Sequence, residues 1–169
     1  MERFGLTMLV VALFALLVLA MWRGWRRQAL DQSLAYDPFP EIPADLPEAE
    51  LDAASGIYVA TTKAGRWQER IVTRGVGMRG PATLRRYQAG VVVERHGAKS
   101  FFIPAESIIT VKTGKAMAGK VMGTDGLLVI TWQLGEAQVD TGFRGDGSSV
   151  YGRWIESLAK HSSSKGDDQ

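Results

Sequence analysis

Hydrophobic and polar positions fall into three regimes along the chain. Residues 4–22 are continuously apolar: nineteen positions rich in Leu, Val and Ala, with no charge and no proline. At about 1.5 Å per residue, such a helix spans roughly the hydrocarbon core of a bilayer. It also pairs its own backbone N–H and C=O groups, as lipid requires. The pattern predicts a transmembrane helix over 4–22. Trp22 and Trp25 stand at headgroup level among Arg23, Arg26 and Arg27, and these five are the expected membrane-interface residues. Only Arg3 and the α-amine flank the other end, so the positive-inside rule puts the N-terminus outside and the remainder in the cytoplasm. The competing reading is a cleaved secretory signal, with Val18 and Ala20 before the cut. A weakly basic start, a long apolar run and arginines directly behind it argue against cleavage.

The second regime, 23–55, combines the basic juxtamembrane cluster with a polar stretch lacking any period. Pro38, Pro40, Pro43 and Pro47 lie there among acids, a composition that favours extended, polyproline-like chain. It reads as a stiff, solvated spacer. As a ligand for a proline-binding domain it lacks the basic residue that orients such ligands. The third regime begins at Gly56 with period two: Ile57, Val59 and Thr61 alternate with Tyr58, Ala60 and Thr62, and a turn follows at Lys63, Ala64 and Gly65. Similar runs recur at 66–74, 82–88, 90–95, 99–103, 108–112, 126–134 and 138–143. Seven or eight short strands predict a small barrel or sandwich. A helix follows, capped by Ser148 with Ser149 beside it, whose Tyr151, Trp154, Ile155 and Leu158 share one apolar stripe. The domain is expected over 56–160 and a disordered polar tail over 161–169.

Charge is partitioned along the chain. The 169 residues carry a formal net charge of +2, yet seven acids and no Lys or Arg lie between Gln28 and Ser55. From Gly56 to Lys160 there are fifteen Lys and Arg against eight acids. A basic domain thus hangs on an acidic segment. Cysteine is absent, which excludes disulfides, thiol nucleophiles and cysteine-ligated metal sites within one chain.

Several short strands, one closing helix and Trp154 within that helix together resemble a pleckstrin-homology-like (PH-like) domain. The segment GVVVERHGAKSFFIPAESIITV, residues 90–111, resembles the strand, turn, strand and Ile-Pro-x-x-x-Ile step of bacterial PH-like and GRAM-like domains, with Ile103, Pro104 and Ile108 at that step. Anchor, linker and domain together are similar to membrane-anchored proteins of actinobacteria. The resemblance implies a mainly β fold with one C-terminal α-helix behind a single transmembrane helix. It implies a binding or scaffolding module whose partner is a protein or anionic lipid headgroups. Phosphoinositide-binding relatives carry basic side chains on the first hairpin, and Lys63, Arg66, Arg70 and Arg74 stand on or beside it here. Independently of any family, a Trp buried in a closing helix supplies a large apolar area.

No motif points to chemistry. GVGMRG at 75–80 matches a dinucleotide glycine pattern, but Pro81 and a strand follow where a helix start is required. Residues 114–120 nearly match a phosphate loop, but Val121 stands where the hydroxyl residue belongs. A loop over 114–126 with Lys115 and Lys120 exposed is the surviving expectation. His96 and His161 fall in a turn and in the tail, and the carboxylates Glu94, Glu106 and Asp140 show no paired spacing. The expectation is therefore no enzyme, no metal, no cofactor and no nucleic acid. The alternative to a lipid- or protein-binding module is an accessory subunit of a membrane transporter or export complex, docked through the transmembrane helix, in which Gly5, Ala12 and Ala15 permit close contact.

Overall fold

The computed structural model describes residues 2–114, 116–117, 120–121, 126–147 and 150–163. Its first element is one helix, α1 (Glu2–Ala35). The stretch Thr7–Gly24 has a mean hydropathy of 2.1, is long and apolar enough to cross a bilayer, and has no residue buried against the rest of the chain. The helix does not stop where the apolar run ends. Residues 25–35 contain Arg, Gln, Ala and Leu but neither Gly nor Pro, so nothing breaks the hydrogen-bond ladder. The expected linker therefore begins only at Tyr36, where Pro38 disfavours helical backbone at Asp37.

Ten strands follow among the described residues: β1 (Ala54–Lys63), β2 (Arg66–Arg70), β3 (Gly80–Tyr87), β4 (Gly90–Arg95), β5 (Phe101–Pro104), β6 (Ile108–Gly114), β7 (Ala116–Met117), β8 (Lys120–Val121), β9 (Leu127–Leu134) and β10 (Ala137–Gly145). The main sheet runs β5-β4-β3-β1-β10-β9-β6, with β2 paired to β1 off this path. Every pairing is antiparallel. In a flat sheet the end strands β5 and β6 would lie about 29 Å apart. They are joined by the 3-10 turn Ala105–Ser107 alone, and four Cα steps reach at most about 14 Å. The sheet therefore curls into a barrel. β1 is its hub: one edge pairs β10, the other pairs β3 over Ala54 to Tyr58 and β2 at Thr62 and Lys63, with a bulge after Tyr58.

The core is aromatic. Phe101 stacks with Trp132 at 6.5 Å and meets Tyr58 edge-on at 6.0 Å. The closing helix α2 (Val150–Ser163) lies against β6 and buries Tyr151, Trp154 and Leu158, with Ile155 half-buried. The apolar stripe read from the sequence is thus the packed face, and Trp154 is 1% exposed. Ser148 and Ser149 lie outside the described residues, as do Lys115 and most of the loop around it.

The acidic segment is packed, contrary to the spacer expectation. Phe39 is 7% exposed, and its ring sits edge-on to Phe101 at 5.0 Å and to Trp132 at 5.7 Å. Phe102 N–H donates to Pro40 O at 2.9 Å and Glu50 N–H to Arg86 O at 2.8 Å. Asp37 lies against Gly135, whose φ of +57° and missing Cβ make room for that carboxylate. The physical reason is that one aromatic side chain in an apolar slot outweighs the solvation of its polar neighbours. We call residues 36–53 the strap.

Candidate functional site

The first hairpin, β1 and β2, turns at Ala64 and Gly65, where Gly65 has a φ of +73°. Its backbone is tied to the barrel: Gly65 N–H donates to Asp140 Oδ2 at 3.1 Å, and Asp140 Oδ1 accepts from Thr131 Oγ1 at 2.6 Å. Lys63 and Arg66 are exposed at its tip. Arg66 pairs with Glu69 at 2.7 Å, an exposed i,i+3 pair that holds the Arg66 pKa above its ordinary value through the hydrogen bond. Arg70 is half-buried and donates to Gly77 O at 3.0 Å. Arg74 stands on the 3-10 turn Thr73–Gly75, and its side chain lies outside the described residues.

β2 ends at Arg70 rather than at 74 because the following loop is clamped from inside. Arg95 donates to Gly75 O at 3.0 Å and to Met78 O at 2.7 Å, Tyr58 OH to Val76 O at 2.7 Å, and Arg70 to Gly77 O. Four consecutive carbonyls thus meet donors rooted in the barrel, which turns the chain away from the strand path. The Arg95 guanidinium lies 4.5 Å above the Tyr58 ring. Tyr58 OH also meets Thr61 Oγ1 at 2.9 Å, which leads through Thr141 to Trp132 Nε1. Burial pushes the Tyr58 pKa up to about 12 and lowers that of Arg95. The glycine-rich motif at 75–80 is therefore a fixed loop, with Met78 70% exposed on its outside. Trp67, on β2, is also exposed.

Helix α1 meets this end of the domain. It contacts the turn Thr73–Gly75. Tyr36, the residue after it, lies in the fields of Glu69 and Arg66; burial, then Glu69, raises its pKa. Of the residues expected at a membrane interface, Arg26 covers the Trp22 ring at 4.7 Å, the side chain of Trp25 lies outside the described residues, and Arg23 and Arg27 are exposed.

Three of the six acids of the strap pair elsewhere. Glu41 meets Lys99 at 2.7 Å, Glu50 meets Arg86 at 3.6 Å and Asp52 meets Arg153 at 3.5 Å. The described strap ion pairs therefore leave Lys63, Arg66 and Arg70 to other partners. Between Lys63 and Arg79 the chain holds five basic residues against the single acid Glu69. Sequence reasoning missed Tyr58, Arg95, Trp67 and Met78; the first two looked like ordinary strand positions, and exposure of an apolar side chain has no sequence signature.

Among the described residues, no group of three or more His, Cys, Asp or Glu stands close enough to hold a metal ion. His96 is exposed, with Thr83 Oγ1 3.3 Å from its Nε2. The sequence profile of the family described as bacterial PH domain-like matches residues 36–159. That span includes the strap as well as the barrel and α2. No curated protein and no solved structure matches the chain.

Proposed function

This chain belongs to the bacterial PH domain-like family, a scaffolding, non-catalytic fold, and we propose that it is a binding module tethered to the inner face of a membrane by α1. The N-terminus lies outside, the span covers Thr7–Gly24, and the arginines behind it remain in the cytoplasm. Lys63 and Arg66, exposed at the hairpin tip, then face anionic lipid headgroups. The observation that carries this reading is the contact of α1 with the turn Thr73–Gly75, which sets the basic hairpin at the tethered end. From Gly24 to Ala35 the helix extends about 17 Å beyond the span. That is an upper limit on the stand-off, of the same order as a headgroup layer plus a Debye length of about 8 Å. The accessory-subunit reading has no comparable support, since the small residues of α1 form no continuous face.

The full chain in nanodiscs tests this. The chain has no cysteine, so Gln68→Cys, an exposed position on β2, accepts a single polarity-sensitive dye. Anionic phospholipid should shift its emission relative to neutral phospholipid, and the double reversal Lys63→Glu/Arg66→Glu should abolish the shift. Each reversal replaces an attraction by a repulsion, so the pair weakens the contact by more than the loss of two positive charges would. Identical emission in both lipids refutes the lipid contact.

A further inference from the structure

We propose that the edge of β5 away from β4, together with the aromatic slot between Phe101 and Trp132, is a docking groove for an extended peptide that carries an aromatic side chain with a carboxylate two residues behind it, and that residues 38–41 of the strap are its internal occupant. Three recognition elements converge there. Phe39 enters the slot, 5.0 Å from the Phe101 ring and 5.7 Å from that of Trp132. Phe102 N–H, on the edge of β5 away from β4, donates to Pro40 O. Glu41 meets Lys99 at 2.7 Å, with both side chains largely in solvent.

The strap occupies this groove incompletely. Pro38 and Pro40 have no N–H, so Pro40 accepts a bond from β5 and cannot return one. A cavity of about 130 Å³, lined by Pro38, Phe39, Val76, Lys99, Ser100 and Phe101, remains beside the anchoring ring. A segment with N–H groups flanking its aromatic residue would complete the ladder that the prolines interrupt, in the manner of strand addition to a sheet edge. A larger aromatic would also occupy part of the cavity. The strap holds its place because it is covalently attached, which gives it an effective concentration of the order of millimolar. The groove does not depend on the lipid contact: its cation is Lys99, whereas that contact uses Lys63 and Arg66.

Two fluorescent synthetic peptides test the groove on the full chain in neutral nanodiscs: YDPFPEIP, which copies residues 36–43, and YDVWVEIP, which restores the N–H groups and enlarges the aromatic. Phe39→Ala, which empties the slot, should bind YDVWVEIP at least about tenfold more tightly than the unaltered chain does, because the competing segment is released. YDVWVEIP should also bind more tightly than YDPFPEIP. Adding Lys99→Glu should weaken both several-fold. Equal affinity of Phe39→Ala and the unaltered chain, or indifference to Lys99→Glu, overturns the proposal. Should Phe39→Ala not fold, hydrogen exchange in the unaltered chain decides. The Phe102 amide, which the strap protects, should exchange at least about tenfold faster than those of Val91 and Val93 within β4; equal rates mean that the groove never opens and refute the idea.

Discussion

Replacing Phe39 by Ala tests whether the strap belongs to the folded domain. The side chain is 7% exposed and makes edge-on contacts with Phe101 and Trp132. Truncating a buried Phe costs about 3–5 kcal/mol, the lost transfer energy plus the cavity left behind, and each aromatic pair contributes about 0.5–1.5 kcal/mol within that sum. The nearby Glu41–Lys99 pair adds little, since both side chains are more than half exposed (79% and 67%) and water screens such a pair. Urea unfolding of the full chain in nanodiscs, followed by near-ultraviolet circular dichroism, should show the midpoint falling accordingly with an unchanged slope. Pro43→Ala, at an exposed strap position, should stay within about 0.5 kcal/mol. A loss below about 1 kcal/mol for Phe39→Ala would mean that the strap is the solvated spacer its composition suggests, and would refute the packing argument.

Three further outcomes follow from the packing and the buried polar groups. Trp154→Ala should lower stability by about 3–5 kcal/mol in the same assay, and unchanged melting contradicts the placement of α2 over β6. Tyr58 has its pKa raised to about 12, so its contribution is complete below the unfolded value of about 10 and is lost as pH climbs towards 12; about 2–3 kcal/mol should disappear over that window, and Tyr58→Phe should remove the loss. Arg95→Ala leaves the carbonyls of Gly75 and Met78 without their charged donor, at about 1.5–3 kcal/mol, and trypsin should then cut at Arg74 or Arg79 faster than in the unaltered chain.

The barrel was legible because its strands carry their signal locally. The β-forming run from Ile57 to Thr62, buried throughout from Tyr58 on rather than at alternate positions, the turn at Gly65 and the stripe through Tyr151, Trp154 and Leu158 each report a neighbour within a few residues. The strap was not, because its decisive contact is long-range: Phe39 looks like one apolar residue among prolines and acids, and only the slot between Phe101 and Trp132 gives it a place. The early end of β2 escaped for a similar reason, since Arg95 and Tyr58 act on carbonyls about twenty residues away in sequence. The helix running on to Ala35 was readable in principle, from residues without Gly or Pro, but the change from apolar to basic side chains marks a change of solvent and not of backbone. Of the candidate cations, Lys63 and Arg66 stand exposed at the tip of the first hairpin. The sequence did not reveal that Arg70 is spent on Gly77 O, or that three strap acids pair with Lys99, Arg86 and Arg153.

The claim beneath the functional reading is that the domain hangs from α1 on the cytoplasmic side, with its basic hairpin at the tethered end. Labelling of Gln68→Cys by a membrane-impermeant maleimide, in intact and then in permeabilised cells, tests it directly. Modification is expected only after permeabilisation, on a chain that still carries residues 1–24. Modification in intact cells, or recovery of a chain lacking those residues, would contradict it.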